Sequence, residues 1–110
     1  MTQGWFTMSL SLTTTATILG LAKRPGMTKD GRAVLSLNAS INGTTYEVNL
    51  VTKQNQTIED ALNYLANAGF LTKDGNVFML EVPTWALAKA KNNTIWVHVE
   101  DYERLRGTTT

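Results

Sequence analysis

Thr84-Trp85-Ala86-Leu87-Ala88-Lys89-Ala90-Lys91-Asn92-Asn93-Thr94-Ile95-Trp96-Val97-His98-Val99-Glu100 can be written as two strands around an Asn92-Asn93 turn. Lys91 then faces Thr94, Lys89 faces Trp96, Leu87 faces His98 and Trp85 faces Glu100. Side chains alternate faces along a strand, and directly opposed residues share one. One face would carry Ala86, Ala88 and Ala90 against Ile95, Val97 and Val99, all small or apolar. The other would carry Trp85, Trp96, Lys89, Lys91 and His98. Exposed Trp beside Lys has no use in a core, but it suits a surface that stacks bases and holds phosphates. The same residues 84–91 are strong helix formers, and Pro83 suits a helix start. The residue-for-residue match with the facing arm makes the hairpin the expectation.

Upstream, Asn42-Gly43 is the strongest short hairpin signal in the chain. It sets Ile41 opposite Thr44, Ala39 opposite Tyr46, Leu37 opposite Val48 and Leu35 opposite Leu50. The apolar alternation of residues 33–41 thus lands on the mostly apolar face of the next strand, which supports the register. Residues 5–21 are rich in β-branched residues and read as a long strand or a bent pair, with Gly20 marking a bulge. Arg24-Pro25-Gly26 and Asp30-Gly31 break that pattern.

Downstream, Thr57 can cap a helix carrying Ile58, Ala61, Leu62 and Leu65 at helical spacing, with Asp60 three residues beyond the cap and Gly69 placed to end it. Lys73-Asp74-Gly75-Asn76 is a turn, and Val77–Val82 is a short apolar strand stopped by Pro83. The string Thr-Lys-Asp-Gly occurs at 28–31 and 72–75, which turn chemistry explains without a duplication. The order is three strands, one helix, two strands. This predicts a mostly β protein, a five-stranded OB-fold barrel with one helix between strands three and four. Residues 1–107 would form one domain and 108–110 a short tail.

Composition narrows the function. The chain has 110 residues and is 43% hydrophobic, enough for one modest core. Its net charge is +1, so no global field marks a nucleic-acid binder. The charge is uneven: residues 1–57 balance to +3 and residues 58–110 to −2. There is no Cys, which excludes disulfides, thiol nucleophiles and Cys-based zinc sites. The N-terminus lacks the pattern of a signal peptide, and no apolar run approaches the ~18 residues of a membrane helix. The Asn-x-Ser/Thr sites at Asn38, Asn42, Asn55 and Asn92 therefore read as turn and strand chemistry. His98 is the only His, which makes no metal site. There is no catalytic motif, so neither an enzyme nor a cofactor is expected.

Two residue sets could bind an anionic strand. Trp85, Trp96, Lys89 and Lys91 form the first; the rival readings are an oligomer interface, then intramolecular packing, and a Lys89–Trp96 cation–π pair would explain that pair with no ligand. Lys23, Arg24, Lys29 and Arg32 form the second, as phosphate contacts or simply as a solvated turn. Lys53 and Lys73 flank the helix and could extend that track. Tyr46 sits on the apolar side of its strand and reads as core. Trp5 and Phe6 could pack over a barrel end or join a neighbouring subunit. Glu100, Asp101, Glu103, Arg104 and Arg106 read as a solvated terminal segment.

Ala16-Thr17-Ile18-Leu19-Gly20-Leu21, Arg24-Pro25 and Thr28-Lys29-Asp30-Gly31-Arg32-Ala33-Val34-Leu35-Ser36-Leu37-Asn38-Ala39 give the chain a family likeness, as does Ala61-Leu62-Asn63-Tyr64-Leu65. In these residues the chain resembles the bacterial single-stranded-DNA-binding proteins and their relatives, primosomal replication protein B among them. The likeness runs over about residues 14–105. It departs at the C-terminus, which lacks the family's acidic tail, and after the helix, where the Gly-rich turn is only partly present. The resemblance implies an OB-fold, binding of single-stranded DNA (or RNA) with little sequence preference, and a dimeric or tetrameric homo-oligomer. It further implies a cytoplasmic protein accessory to DNA replication, recombination or repair. The rival expectation is a protein-interaction or self-assembly module that uses the Trp/Lys face.

Overall fold

The computed structural model describes residues 12–109. Trp5, Phe6 and the start of the expected first strand lie outside them. Seven strands form one sheet: β1 (Thr13–Leu21), β2 (Gly26–Met27), β3 (Ala33–Ile41), β4 (Thr44–Val51), β5 (Leu71–Asp74), β6 (Val77–Pro83) and β7 (Thr94–His98). Among the described residues three helices accompany them: α1 (Ile58–Ala68), α2 (Thr84–Ala88) and α3 (Val99–Thr109). The protein is mostly β, as expected from the sequence.

The β3–β4 hairpin has the expected register, with Leu35 on Leu50, Leu37 on Val48, Ala39 on Tyr46 and Ile41 on Thr44. Asn42 and Gly43 both take positive φ, 51° and 85°, which is what a two-residue turn of this hand requires. β1 pairs with β3 and shifts register between Ile18 and Gly20, the bulge the glycine marked. Its other side pairs with β6, from Thr13 on Pro83 to Thr17 on Met79.

α1 is built as its sequence specifies. The Thr57 hydroxyl accepts a hydrogen bond from the Asp60 N–H at 3.0 Å, and Gly69 ends the helix at a φ of 88°. Ala61 and Leu65 are fully buried. Thr57→Ala should cost about 1 kcal/mol by removing that cap. Urea unfolding at constant m-value checks it, and an unchanged midpoint would show the cap to be idle.

The closed barrel is not found. The sheet is open, in the order β5-β6-β1-β3-β4-β7, with β2 beside β3. The expected hairpin at residues 84–100 is replaced by α2, the turn, β7 and the start of α3. The Asn92-Asn93 turn does form: both residues take positive φ, 52° and 56°, and Lys91 and Thr94 exchange backbone bonds of 3.2 and 2.9 Å. That single rung is all the pairing there is. Beyond it β7 runs parallel to β4, with Val48 on Ile95 and Leu50 on Val97. β4 offers Ile95 and Val97 larger apolar neighbours than Ala86, Ala88 and Ala90 could. Residues 84–88, released from pairing, follow their propensity and their lead-in proline into a helix that buries Ala86. α2 packs against both β6 and β7.

The terminal segment is likewise not a solvated tail but α3. Val99, Tyr102 and Leu105 repeat on one face and are buried, while Glu103, Arg104 and Arg106 point outward. Tyr102 donates its hydroxyl to the Glu81 carbonyl at 2.6 Å, and its ring lies 4.9 Å from that of Phe70. The core gathers Leu35, Ala39, Ile41, Val48, Leu50, Ile95 and Val97 from the inner face of the sheet against all three helices. Tyr46 packs on its margin, as its position on the apolar side predicted.

Candidate nucleic-acid interface

β7 is an edge strand, and beside it opens a cleft of about 820 Å³. Trp85, Ala86, Lys89 and Lys91 line it from α2 and the following turn, Thr94, Trp96 and His98 from β7, and Asp101 and Arg104 from α3. Alternation explains the β7 contribution: Ile95 and Val97 are buried in the core, so Thr94, Trp96 and His98 face away from it. The residues expected on one hairpin face are therefore brought together, but by a helix and a strand. Trp96 is 54% exposed. Trp85 differs from the expectation: it is half-buried, with its ring packed against the core, because its helix turns it inward.

The cleft is mixed in charge. No carboxylate among the described residues lies within ion-pair distance of Lys89 or Lys91. Asp101 accepts from the His98 N–H at 3.0 Å and from Arg104 at 3.4 Å. His98 Nδ1 lies 3.9 Å from the same carboxylate. No cluster among the described residues could hold a metal ion.

Half of the second basic set, Lys23 and Arg32, is ion-paired within the fold, as is Lys53 of its extension. Lys23 lies 3.4 Å from Glu47. Arg32 is shared between Asp30 at 3.1 Å and Glu100 at 3.0 Å, and Lys53 meets Glu103 at 2.9 Å. The Thr28 hydroxyl, with Arg32 adding, holds the Asp30 carboxyl below its ordinary value, and Glu103 holds the Lys53 ammonium above its own. Lys73 belongs to the opposite edge of the sheet, 5.5 Å from the centre of the Phe78 ring. Arg24 and Lys29 are exposed and have no carboxylate partner among the described residues. Two of the acids that hold Arg32 and Lys53, Glu100 and Glu103, come from α3. Reading that segment as solvated hid this neutralisation.

The two sets meet at Glu47. Its backbone N–H donates to the Asn93 carbonyl at 2.8 Å, while the Asn93 side chain donates to the Thr45 carbonyl at 3.1 Å. These bonds staple the turn that carries Lys91 to β4. Asn93→Ala should cost about 1–2 kcal/mol, since it loses a hydrogen bond and puts Ala at a positive φ that Asn tolerates better. Thermal unfolding reads this directly; no change in Tm would contradict it.

α3, β5 and the two-residue β2 were the elements missed. The i, i+3, i+6 spacing of Val99, Tyr102 and Leu105 was a signal that could have found the first. Leu71–Asp74 is a strand because the turn after it folds it onto β6, with Asp74 on Val77. No helix among the described residues is long and apolar enough to cross a membrane. Comparison with family models, with curated proteins and with solved structures gave no match.

Proposed function

We propose that the protein binds single-stranded DNA with little sequence preference, by stacking bases on Trp96 and Trp85 and holding phosphates with Lys89 and Lys91. One observation carries this reading. Both Trp side chains and both unpaired lysines line the same open cleft. Stacking is sequence-tolerant because every base has a π-face, and it is worth about 1–3 kcal/mol per base. The likeness to single-stranded-DNA-binding proteins supports it, as does the order of strands β1 to β4 (β2 only two residues), one helix, then further strands. We read the sheet as an opened relative of the OB barrel, which is itself only partly closed. On this reading the protein is cytoplasmic, forms a homo-oligomer and is accessory to replication, recombination or repair.

The acid at Asp101, which lines the same cleft, favours a second reading, a protein-interaction or self-assembly surface centred on Trp96. Titrating intrinsic tryptophan emission with single-stranded and duplex oligonucleotides at low salt, beside a native-mass measurement, separates the two. Single strands should quench emission and duplexes should not. Emission indifferent to both, together with a mass that rises with concentration and falls on Trp96→Ala, would replace the first reading by the second.

A further inference from the structure

Resting on the nucleic-acid reading, we propose that this site takes a short unit, two bases with their phosphates, and does not track a long strand. The inference follows from what the fold leaves available. A strand leaving the cleft toward Lys23 and the β1–β3 loop must cross β4. Glu47 stands on that route with its carboxylate already 3.4 Å from Lys23. A phosphate arriving there meets an acid and must displace it to gain the lysine. Arg32 and Lys53 are likewise occupied by Asp30, Glu100 and Glu103, and the two loop cations left unpaired, Arg24 and Lys29, sit between β1 and β3, beyond β4 in the strand order from the cleft edge. Lys73 lies on β5, at the opposite end of the strand order from β7.

The cleft itself is sized for a small ligand. Its volume of about 820 Å³ falls within the ~300–1,000 Å³ usual for sites that enclose one. Two indoles offer stacking for two bases, and two unpaired lysines match two phosphates. A 5′-phosphorylated dinucleotide has that inventory.

Length and salt dependence test this with the intact protein. Quenching would be titrated with 5′-phosphorylated thymidylate oligomers of two, five and about twenty nucleotides, and affinities divided by the number of equivalent registers on each. The expected result is an affinity per register that stays within about threefold across lengths. Neutralising two phosphates should give a log–log salt slope of about −1.4, from −0.7 per phosphate on single strands. An affinity per register that climbs more than about tenfold from two to five nucleotides, or a slope steeper than about −3, would overturn the inference. Binding would stand in that case, and the basic loop would have to take part. No quenching at any length is the separate result that removes the nucleic-acid reading, and this inference with it.

Discussion

Trp96→Ala is expected to weaken binding of single-stranded oligothymidylate by about 5- to 150-fold, the factor equivalent to losing ~1–3 kcal/mol of stacking. Stability should change little, within ~0.5 kcal/mol, because the side chain is largely exposed and the flanking Ile95 and Val97 keep β7 in place. That separation makes Trp96 the cleaner probe of the cleft. Trp85→Ala is expected to weaken binding too, but it also strips a ring that packs on the core, so its loss of affinity mixes with a loss of stability. Fluorescence of the remaining tryptophans, or anisotropy of a labelled strand, reads the affinity; circular dichroism reads the fold. A Trp96→Ala protein that binds as tightly as the parent would move the site away from this cleft.

Tyr102→Ala is expected to have the largest effect on stability. The residue is fully buried, its ring meets Phe70 and its hydroxyl reaches Glu81. Removing a core aromatic costs about 3–5 kcal/mol, a large share of the ~5–15 kcal/mol that holds a small domain together. Tm should fall by more than about 10 °C. Tyr102→Phe keeps the ring and loses only the hydrogen bond, at about 1 kcal/mol. It also carries a pH signature. Burial pushes the Tyr102 phenol above its ordinary value of 10.0, so the folded state disfavours the phenolate. Its contribution is intact below pH 10.0 and is lost as pH rises further, when the unfolded chain ionises and the folded one does not. Tyr102→Phe should therefore lose less stability on going above pH 10.0 than the parent does. Equal losses in the two proteins would mean that the phenol is not protected by the fold.

Both residues lie in the part of the chain that was hardest to read. Trp96 was singled out from its place beside Lys89, and the fold does bring it together with Trp85, Lys89 and Lys91. The route differs from the one the sequence implied. Alternation over residues 85–91 mimics a strand because Ala suits either state, so the pattern carries little weight there. Tyr102 was overlooked because the charged residues around it dominate the segment, and its helical partners Val99 and Leu105 are only two. The ion pairs of Arg32 with Glu100 and of Lys53 with Glu103 could not be read at all. Each joins residues at least 50 positions apart, through a helix whose existence depends on packing.

Several features were set by the sequence alone. Asn42-Gly43 and the alternation around it determined the β3–β4 hairpin and its register. Thr57 and Gly69 determined the ends of α1, Gly20 the bulge in β1, and Asn92-Asn93 the turn before β7. Each is local: a left-handed φ, a cap or a period of two acts within a few residues, and no distant partner can reverse it. The tertiary structure decided the rest. Ile95 and Val97 could pair with the alanines before the turn or with Val48 and Leu50 more than 40 residues earlier, and β4 won because it buries more. That one competition turned residues 84–88 into a helix, left the sheet open, and made the cleft in which Trp85 and Trp96 meet.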